Sequence, residues 1–158
     1  MKTIESILDE INEDKKDNLR TTSFKFKKDI WNFFQNSKNQ IAVEFGTHIG
    51  QTTRVLSFLF EKVYTINKND NIKAKALNSD RNNIVYLNFD LYSPKQLPID
   101  EQIDVLFIDA MHTYEAVISD INRAFTMNCS PETNIVFDDY GLLPPVKKAV
   151  NEAINKIT

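Results

Sequence analysis

The residues of this 158-residue chain that could do chemistry gather into a few short stretches, each just after an apolar run. Both histidines, His48 and His112, lie in such stretches, as do the acids Glu44, Asp90, Asp109, Asp138 and Asp139. Three carboxylates brought together, Asp109, Asp138 and Asp139, repel by about 4 kcal/mol per pair at ~4 Å and an effective dielectric of about 20. A hard divalent cation such as Mg²⁺, which takes carboxylates and waters as ligands, relieves that repulsion. Successive strand residues face opposite sides, so Asp138 and Asp139 converge only where their strand has already broken. Gly141, Pro144 and Pro145 just beyond suit such a break. The competing assignment is that one of the pair caps a turn. His112 follows Asp109 by three residues and suits a general base beside a metal-bound hydroxyl, its ordinary pKa lying near working pH. The plainer role for it is a structural hydrogen bond at a helix start.

Glycine is scarce: the chain has three, where an average usage of ~7% would give about eleven. Two of them form the turn Glu44-x-Gly46-x-x-x-Gly50. Such a turn lets backbone approach a ligand and opens a helix whose N–H groups receive an anion. Tight strand–helix packing is the other use of the same glycines. His48 inside the turn is expected to line a cofactor site. The dinucleotide pattern G-x-G-x-x-G is absent and no acid ends the second apolar run, which disfavours NAD.

The elements that must position these residues are legible from residue 40 onward. Five β-branched or aromatic runs, 41–45, 63–66, 84–87, 103–108 and 135–137, read as strands buried on both faces. Helix-period stripes separate them: Val55, Leu56, Leu59 and Phe60, then Tyr114 through Phe125, then Val146 through Ile157, opened by Pro144 and Pro145. Asp70 is placed to cap a shorter helix ending at Leu77. Alternation of this kind predicts right-handed βαβ units, a mainly parallel sheet and a three-layer α/β/α domain of order 3-2-1-4-5. In such sheets ligands bind beyond the carboxyl ends of the strands, which is where the acids and histidines fall.

Residues 1–38 read as a helical cap on an α/β core of residues 39–158. Within the cap, Phe24-Lys25-Phe26-Lys27-Lys28 interleaves aromatic and basic residues. Single-stranded nucleic acid or a membrane surface is one reading, and an amphipathic helix with solvated lysines is the favoured one. Trp31 is expected in the core or a lid, and Cys129 as an inert thiol in a loop.

Composition excludes several classes. A net charge of −3 with no long basic run gives no footprint for nucleic acid. A single cysteine cannot make an internal disulfide. No apolar stretch approaches the ~20 residues of a membrane helix. The expectation is one soluble, cytoplasmic domain with no nucleic-acid or membrane partner.

The stretches VEFGTHIG (43–50), IDVLFIDAMHTYEAVISD (103–120) and IVFDDYGLLPPVKKAV (135–150) resemble the class I S-adenosylmethionine-dependent methyltransferases. More narrowly, they are similar to the small metal-dependent O-methyltransferases of the macrocin type. The glycine turn is common to many cofactor folds, whereas FIDxxHxYE followed by VFDDYG is far more specific. The resemblance covers roughly residues 40–155 and implies a Rossmann-like fold that binds S-adenosyl-L-methionine and methylates a small-molecule hydroxyl. It implies that Glu44, Phe45, Gly46, Thr47, His48 and Gly50 surround the methionine half of the cofactor, with Thr52 near its carboxylate. Asn67 stands where the family has an acid on the ribose, and Asp90 matches the acid near the adenine. Asp109, Asp138 and Asp139 match the metal ligands, with Asp109 also in the cofactor site, and His112 matches the catalytic base.

Two departures stand out. Asn67 offers no charge-assisted bond to a ribose. The family's last two strands are missing, which leaves the fifth strand an edge for a homo-oligomer or the N-terminal helices to cover. Two other readings follow from the residues. One is a non-catalytic cofactor-binding or interaction module that kept a degenerate fold. The other is a phosphoacceptor receiver, disfavoured because its acidic pair would precede the fourth strand.

Overall fold

Runs rich in Val, Ile and Phe with helices between them fold here as parallel strands joined by crossovers. The computed structural model describes residues 2–11, 22–38 and 40–157. Two helices, α1 (Ile4–Ile11) and α2 (Phe24–Phe34), precede β1 (Ile41–Phe45). Then come α3 (Gln51–Leu59), β2 (Lys62–Asn67), α4 (Ile72–Leu77), β3 (Ile84–Asn88), β4 (Ile103–Ile108), α5 (Tyr114–Ala124), β5 (Cys129–Phe137) and α6 (Pro144–Ile157). The five strands form one sheet in the order β3-β2-β1-β4-β5, every pairing parallel. This is the expected Rossmann-like topology.

The two-residue period of the strands divides the core between the faces of the sheet. Ala42, Val63, Val105 and Phe107 pack with residues of α1, α2 and α3. Val43, Phe45, Ile66, Leu106 and Ile108 form a second buried cluster, which reaches Ala124 at the end of α5. Val117 and Ile121 of α5 bury against Val146, Ala149 and Val150 of α6. The N-terminal helices are tied to α3 by Arg54, which pairs with Glu10 at 2.7 Å and Asp80 at 2.7 Å. Gln51 also donates to the Ile11 carbonyl at 2.6 Å.

Several expectations are corrected. β5 begins at Cys129, which pairs with Ile103, so the thiol is half-buried in a strand and not in a loop. The extension needs an irregular register between Ile103 and Val105, bridged by the Thr133 hydroxyl donating to the Ile103 carbonyl at 2.6 Å. The outer strands are not buried on both faces: β3 has no fully buried residue, and Ile135 of β5 is exposed, as edge positions allow. Asn71, not Asp70, is the N-cap of α4, and its amide donates to Asn88 at 2.9 Å instead of capping the helix. Phe125 and Ile154 are exposed at the ends of their stripes.

In α2, Lys25 and Lys28 are exposed, and Lys25 pairs with Asp29 one turn on. Lys27 departs from the solvated-lysine reading: it is wholly buried and donates to the Thr22 carbonyl. Trp31 is half-buried against the core. Residues 12–21 of the expected cap, and the side chain of Ile157, lie outside the described residues. No helix among the described residues is long and apolar enough to cross a membrane.

Candidate functional site

The backbone ladder continues one residue past the strand ends, so four loops start level with one another. The Gly46 amide donates to Ile66, that of Phe89 to Asn67, that of Asp109 to Phe45 and that of Asp138 to Ile108, at 2.9, 3.0, 2.9 and 3.1 Å. Two cavities open at this carboxyl edge, of about 960 Å³ and about 690 Å³. Both are lined by Gly46, His48, Ile49, Asp109 and Ala110, which form the ridge between them.

The ridge loop is held by its backbone. Gly46, His48 and Gly50 all have positive φ, at 100°, 46° and 82°, a region costly for most side chains. What the glycines make room for is the protein itself. A Cβ on Gly46 would lie 2.0 Å from the Asp109 carbonyl oxygen, and one on Gly50 would lie 2.7 Å from the Ala74 Cβ. Both glycines thus serve close packing, the alternative use of such a turn, and they also stand at the cavities, Gly46 lining both and Gly50 the larger.

Glu44 and Phe45 line neither cavity, because both belong to the strand below the loop. Glu44 shares a face with Ala42 and pairs in register with Thr65. Its Oε2 accepts from the Thr53 and Thr65 hydroxyls, each at 2.6 Å, and Thr65 lies 2.7 Å from the Thr47 hydroxyl. Burial pushes the Glu44 carboxyl up to about 8, the two threonine bonds opposing it. Phe45 is fully buried on the other face.

The larger cavity holds the acids. His112 Nε2 lies 3.2 Å from Asp109 Oδ1 and 3.4 Å from Asp139 Oδ2. Asp109, His112 and Asp139 each present one ligand atom, all within 4.8 Å of one another. Asp139 reaches this group because its φ of 57° turns the chain out of the sheet directly after Asp138. Asp138 still pairs with the sheet and lines the cavity, but it is not one of those three. Burial, then the charge of Asp109, pushes the Asp138 carboxyl up to about 6. The hydrogen bond to Asp109 raises the pKa of His112 above its ordinary value, with burial opposing. Thr47 and Thr52 line the same cavity.

The smaller cavity differs in character. It takes in Asn67, at the end of β2, and Asp90, which pairs with Lys68 at 2.8 Å. That lysine holds the Asp90 carboxyl below its ordinary range. Ile72, Tyr92 and Met111 form an exposed apolar rim.

Sequence reasoning missed Thr22, whose hydroxyl donates to Asp109 Oδ2 at 2.9 Å and accepts from Thr52 at 3.0 Å. A lone threonine in the cap gave no signal. It also missed Asp120, wholly buried on α5, whose carboxylate oxygens have no hydrogen-bond partner among the described residues. Burial pushes that carboxyl up to about 7.

Residues 43–140, more than half of the chain, match the family model described as a methyltransferase domain. No curated protein matches the chain in sequence. The fold is similar to that of precorrin 8W decarboxylase from Methanobacterium thermoautotrophicum, with a TM-score of 0.71 at 17% identity over 94% of this chain and 78% of that one. The O-methyltransferase NovP is similar with a TM-score of 0.64 at 17% identity, over 85% of this chain and 73% of its own. Phosphoethanolamine N-methyltransferase 1 of Haemonchus contortus, in complex with phosphoethanolamine and S-adenosylhomocysteine, gives 0.55 at 23% identity over 66% of this chain. This chain spans only 23% of that enzyme's length. At these identities the likenesses concern the fold.

Proposed function

The chain belongs to the methyltransferase-domain family, and from that we propose that it binds S-adenosyl-L-methionine and methylates a hydroxyl of a small molecule. The observation that carries this reading is the position of Asp109. It lies on the ridge between the two cavities, within reach of His112. A donor held along the smaller cavity and an acceptor in the larger one meet at that ridge.

S-adenosyl-L-methionine supplies an electrophilic methyl group on a sulfonium. The residues that would hold it are Gly46, Thr47, His48, Gly50 and Thr52 around its methionine half, with Asn67 and Asp90 around its nucleoside. Glu44 and Phe45 support that loop from below. On the acceptor side, Nε2–H of His112 faces the Asp109 and Asp139 carboxylates, so the nitrogen that would take the hydroxyl proton is Nδ1. Asp109 and Asp139 orient the ring and stabilise the imidazolium through their charges. The main contribution of the chain is alignment of the reacting groups, a large share of any catalytic barrier.

The donor set also fits a divalent cation. Burial, then the charge of Asp109, makes Asp138 hard to ionise. A cation held by Asp109 and Asp139, with Asp138 brought in from the cavity wall as third ligand, would offset the repulsion among the acids and lower the acceptor's pKa. His112 then remains the base.

The test is transfer of a labelled methyl group from S-adenosyl-L-methionine to sugar, catechol, nucleoside and peptide hydroxyls, with and without Mg²⁺. Transfer that Asp109→Ala and His112→Ala abolish supports the reading. S-adenosylhomocysteine binding with no acceptor methylated points instead to a non-catalytic cofactor-binding module, which the uncharged Asn67 favours.

A further inference from the structure

One cation in the molecule gives all its hydrogen bonds found among the described residues to backbone carbonyls. Arg123, near the end of α5, donates from Nε to the Leu91 carbonyl at 2.6 Å and from Nη1 to the Lys95 carbonyl at 2.9 Å. Its Nη2 donates to the Ser93 carbonyl. The guanidinium also lies over the Phe89 ring, 5.4 Å from its centroid. These four contacts fall on one stretch, residues 89–95, the loop that leaves β3. Phe89, Asp90, Leu91 and Tyr92 of that loop line the smaller cavity.

We infer that Arg123 is a positioning residue for the smaller cavity: it fixes the loop after β3 so that this wall is formed before a ligand arrives. The inference rests on the methyl-donor reading above, because the nucleoside of the donor is the ligand the wall would meet. Arg123 itself lines neither cavity. It acts on that wall through the loop and through its charge, which adds to Lys68 in lowering the pKa of Asp90.

The physical case is one of geometry. The segment from Tyr92 to Pro98 has no helix or strand to hold it, and its carbonyls need partners. A planar fork with five N–H donors satisfies three carbonyls in fixed directions, which an ammonium on a flexible stem cannot reproduce. Within the loop itself, the Tyr92 amide donates to Asp90 Oδ1 at 3.1 Å and the Ser93 amide to the Asp90 carbonyl at 3.0 Å. The clamp therefore also sets where the Asp90 carboxylate stands. A loop fixed in its bound form spares the ordering cost of binding, so loss of the clamp appears as weaker affinity. The backbone of Arg123 is independently occupied, its carbonyl accepting from Thr126 at 2.9 Å, so a side-chain substitution leaves the helix end intact.

The experiment is calorimetric titration of S-adenosylhomocysteine into the full chain, its Arg123→Ala and Arg123→Lys variants and Phe89→Leu, alongside hydrogen exchange without ligand. The expected result for Arg123→Ala is about a tenfold higher Kd at a stoichiometry still near one, with Arg123→Lys in between. Phe89→Leu is expected to raise the Kd by a smaller factor. The amides of Leu91, Tyr92, Ser93 and Lys95 are expected to exchange faster, while β1 and β4 are unchanged. Stoichiometry separates positioning from folding, because a misfolded fraction lowers the number of sites and leaves the Kd of the rest alone. An unchanged Kd in Arg123→Ala, or a fall confined to stoichiometry, overturns the inference and leaves the methyl-donor reading standing. Absence of binding to the unmodified chain overturns that reading, and the inference with it.

Discussion

The two cavities share a wall and little else. On one side of Asp109 stand Asp138, Asp139 and His112, closely spaced ionisable groups whose charges act on one another. On the other side Asn67 is neutral, Asp90 is neutralised by Lys68, and the rim is apolar. The contrast is one of charge, and under the proposed function it becomes a division of labour, with proton transfer on the side of the acids and recognition of the donor on the other. It also shows that the N-terminal helices belong to the reactive side. Thr22 reaches Asp109 from the segment before α2, whereas no described residue before Gly46 lines the smaller cavity.

The sharpest way to break the division is to remove the base. His112→Ala is expected to lower turnover about 10²–10³-fold and to change the S-adenosylhomocysteine affinity by less than about threefold. Equal losses in both would show that the two sides are not separable. The ridge itself is the next target. Gly46→Ala puts a Cβ 2.0 Å from the Asp109 carbonyl at a φ of 100°, and is expected to cost about 3 kcal/mol of stability by thermal unfolding. A well-folded variant with an unchanged melting temperature would contradict the packing account of that glycine.

A third test concerns the support beneath the ridge. Glu44 has its pKa raised from 4.5 to about 8 by burial, so the folded state binds a proton that the unfolded state has released. Stability from this group is therefore full below the unfolded value and falls as pH rises towards 8. Glu44→Gln is expected to flatten that fall by about 3.5 kcal/mol between pH 5 and 8, read from denaturant midpoints at each pH. An identical slope in the variant would place the pH dependence elsewhere. The smallest effect sharpens the recognition side: Asn67→Asp restores a charged acceptor and is expected to tighten S-adenosylhomocysteine binding about threefold to fivefold, with turnover per bound cofactor unchanged.

The fold was largely legible because parallel strands buried on both faces leave continuous apolar runs, and β1 and β4 match their expected bounds. Edge strands are less constrained, so the start of β5 at Cys129 was hidden: Ser130, Pro131 and Glu132 carry no strand pattern. The acids and His112 were legible because they fall at strand ends, and histidine is rare, with two in the chain. Their grouping was not, since the left-handed turn at Asp139 selects it over Asp138, and no local signal marks a positive φ on an aspartate. The roles of Thr22 and Arg123 were illegible for a different reason. Each acts across the chain, 87 residues from Asp109 in one case and 28 to 32 residues from the carbonyls it holds in the other. Glu44 and Ala42 share a side, as the alternation of strand faces requires. The missing step was that Thr65 and Thr53 wait on that side, so the carboxylate turns inward.

The central claim is that the carboxyl edge of this sheet is a methyl-donor site, and titration with S-adenosylhomocysteine tests it most directly. Calorimetry of the full chain, with and without Mg²⁺, is predicted to show one site with micromolar affinity, weakened when the ridge residue Asp109 becomes alanine. No heat of binding at millimolar ligand would contradict the account and leave the chain a fold without its cofactor.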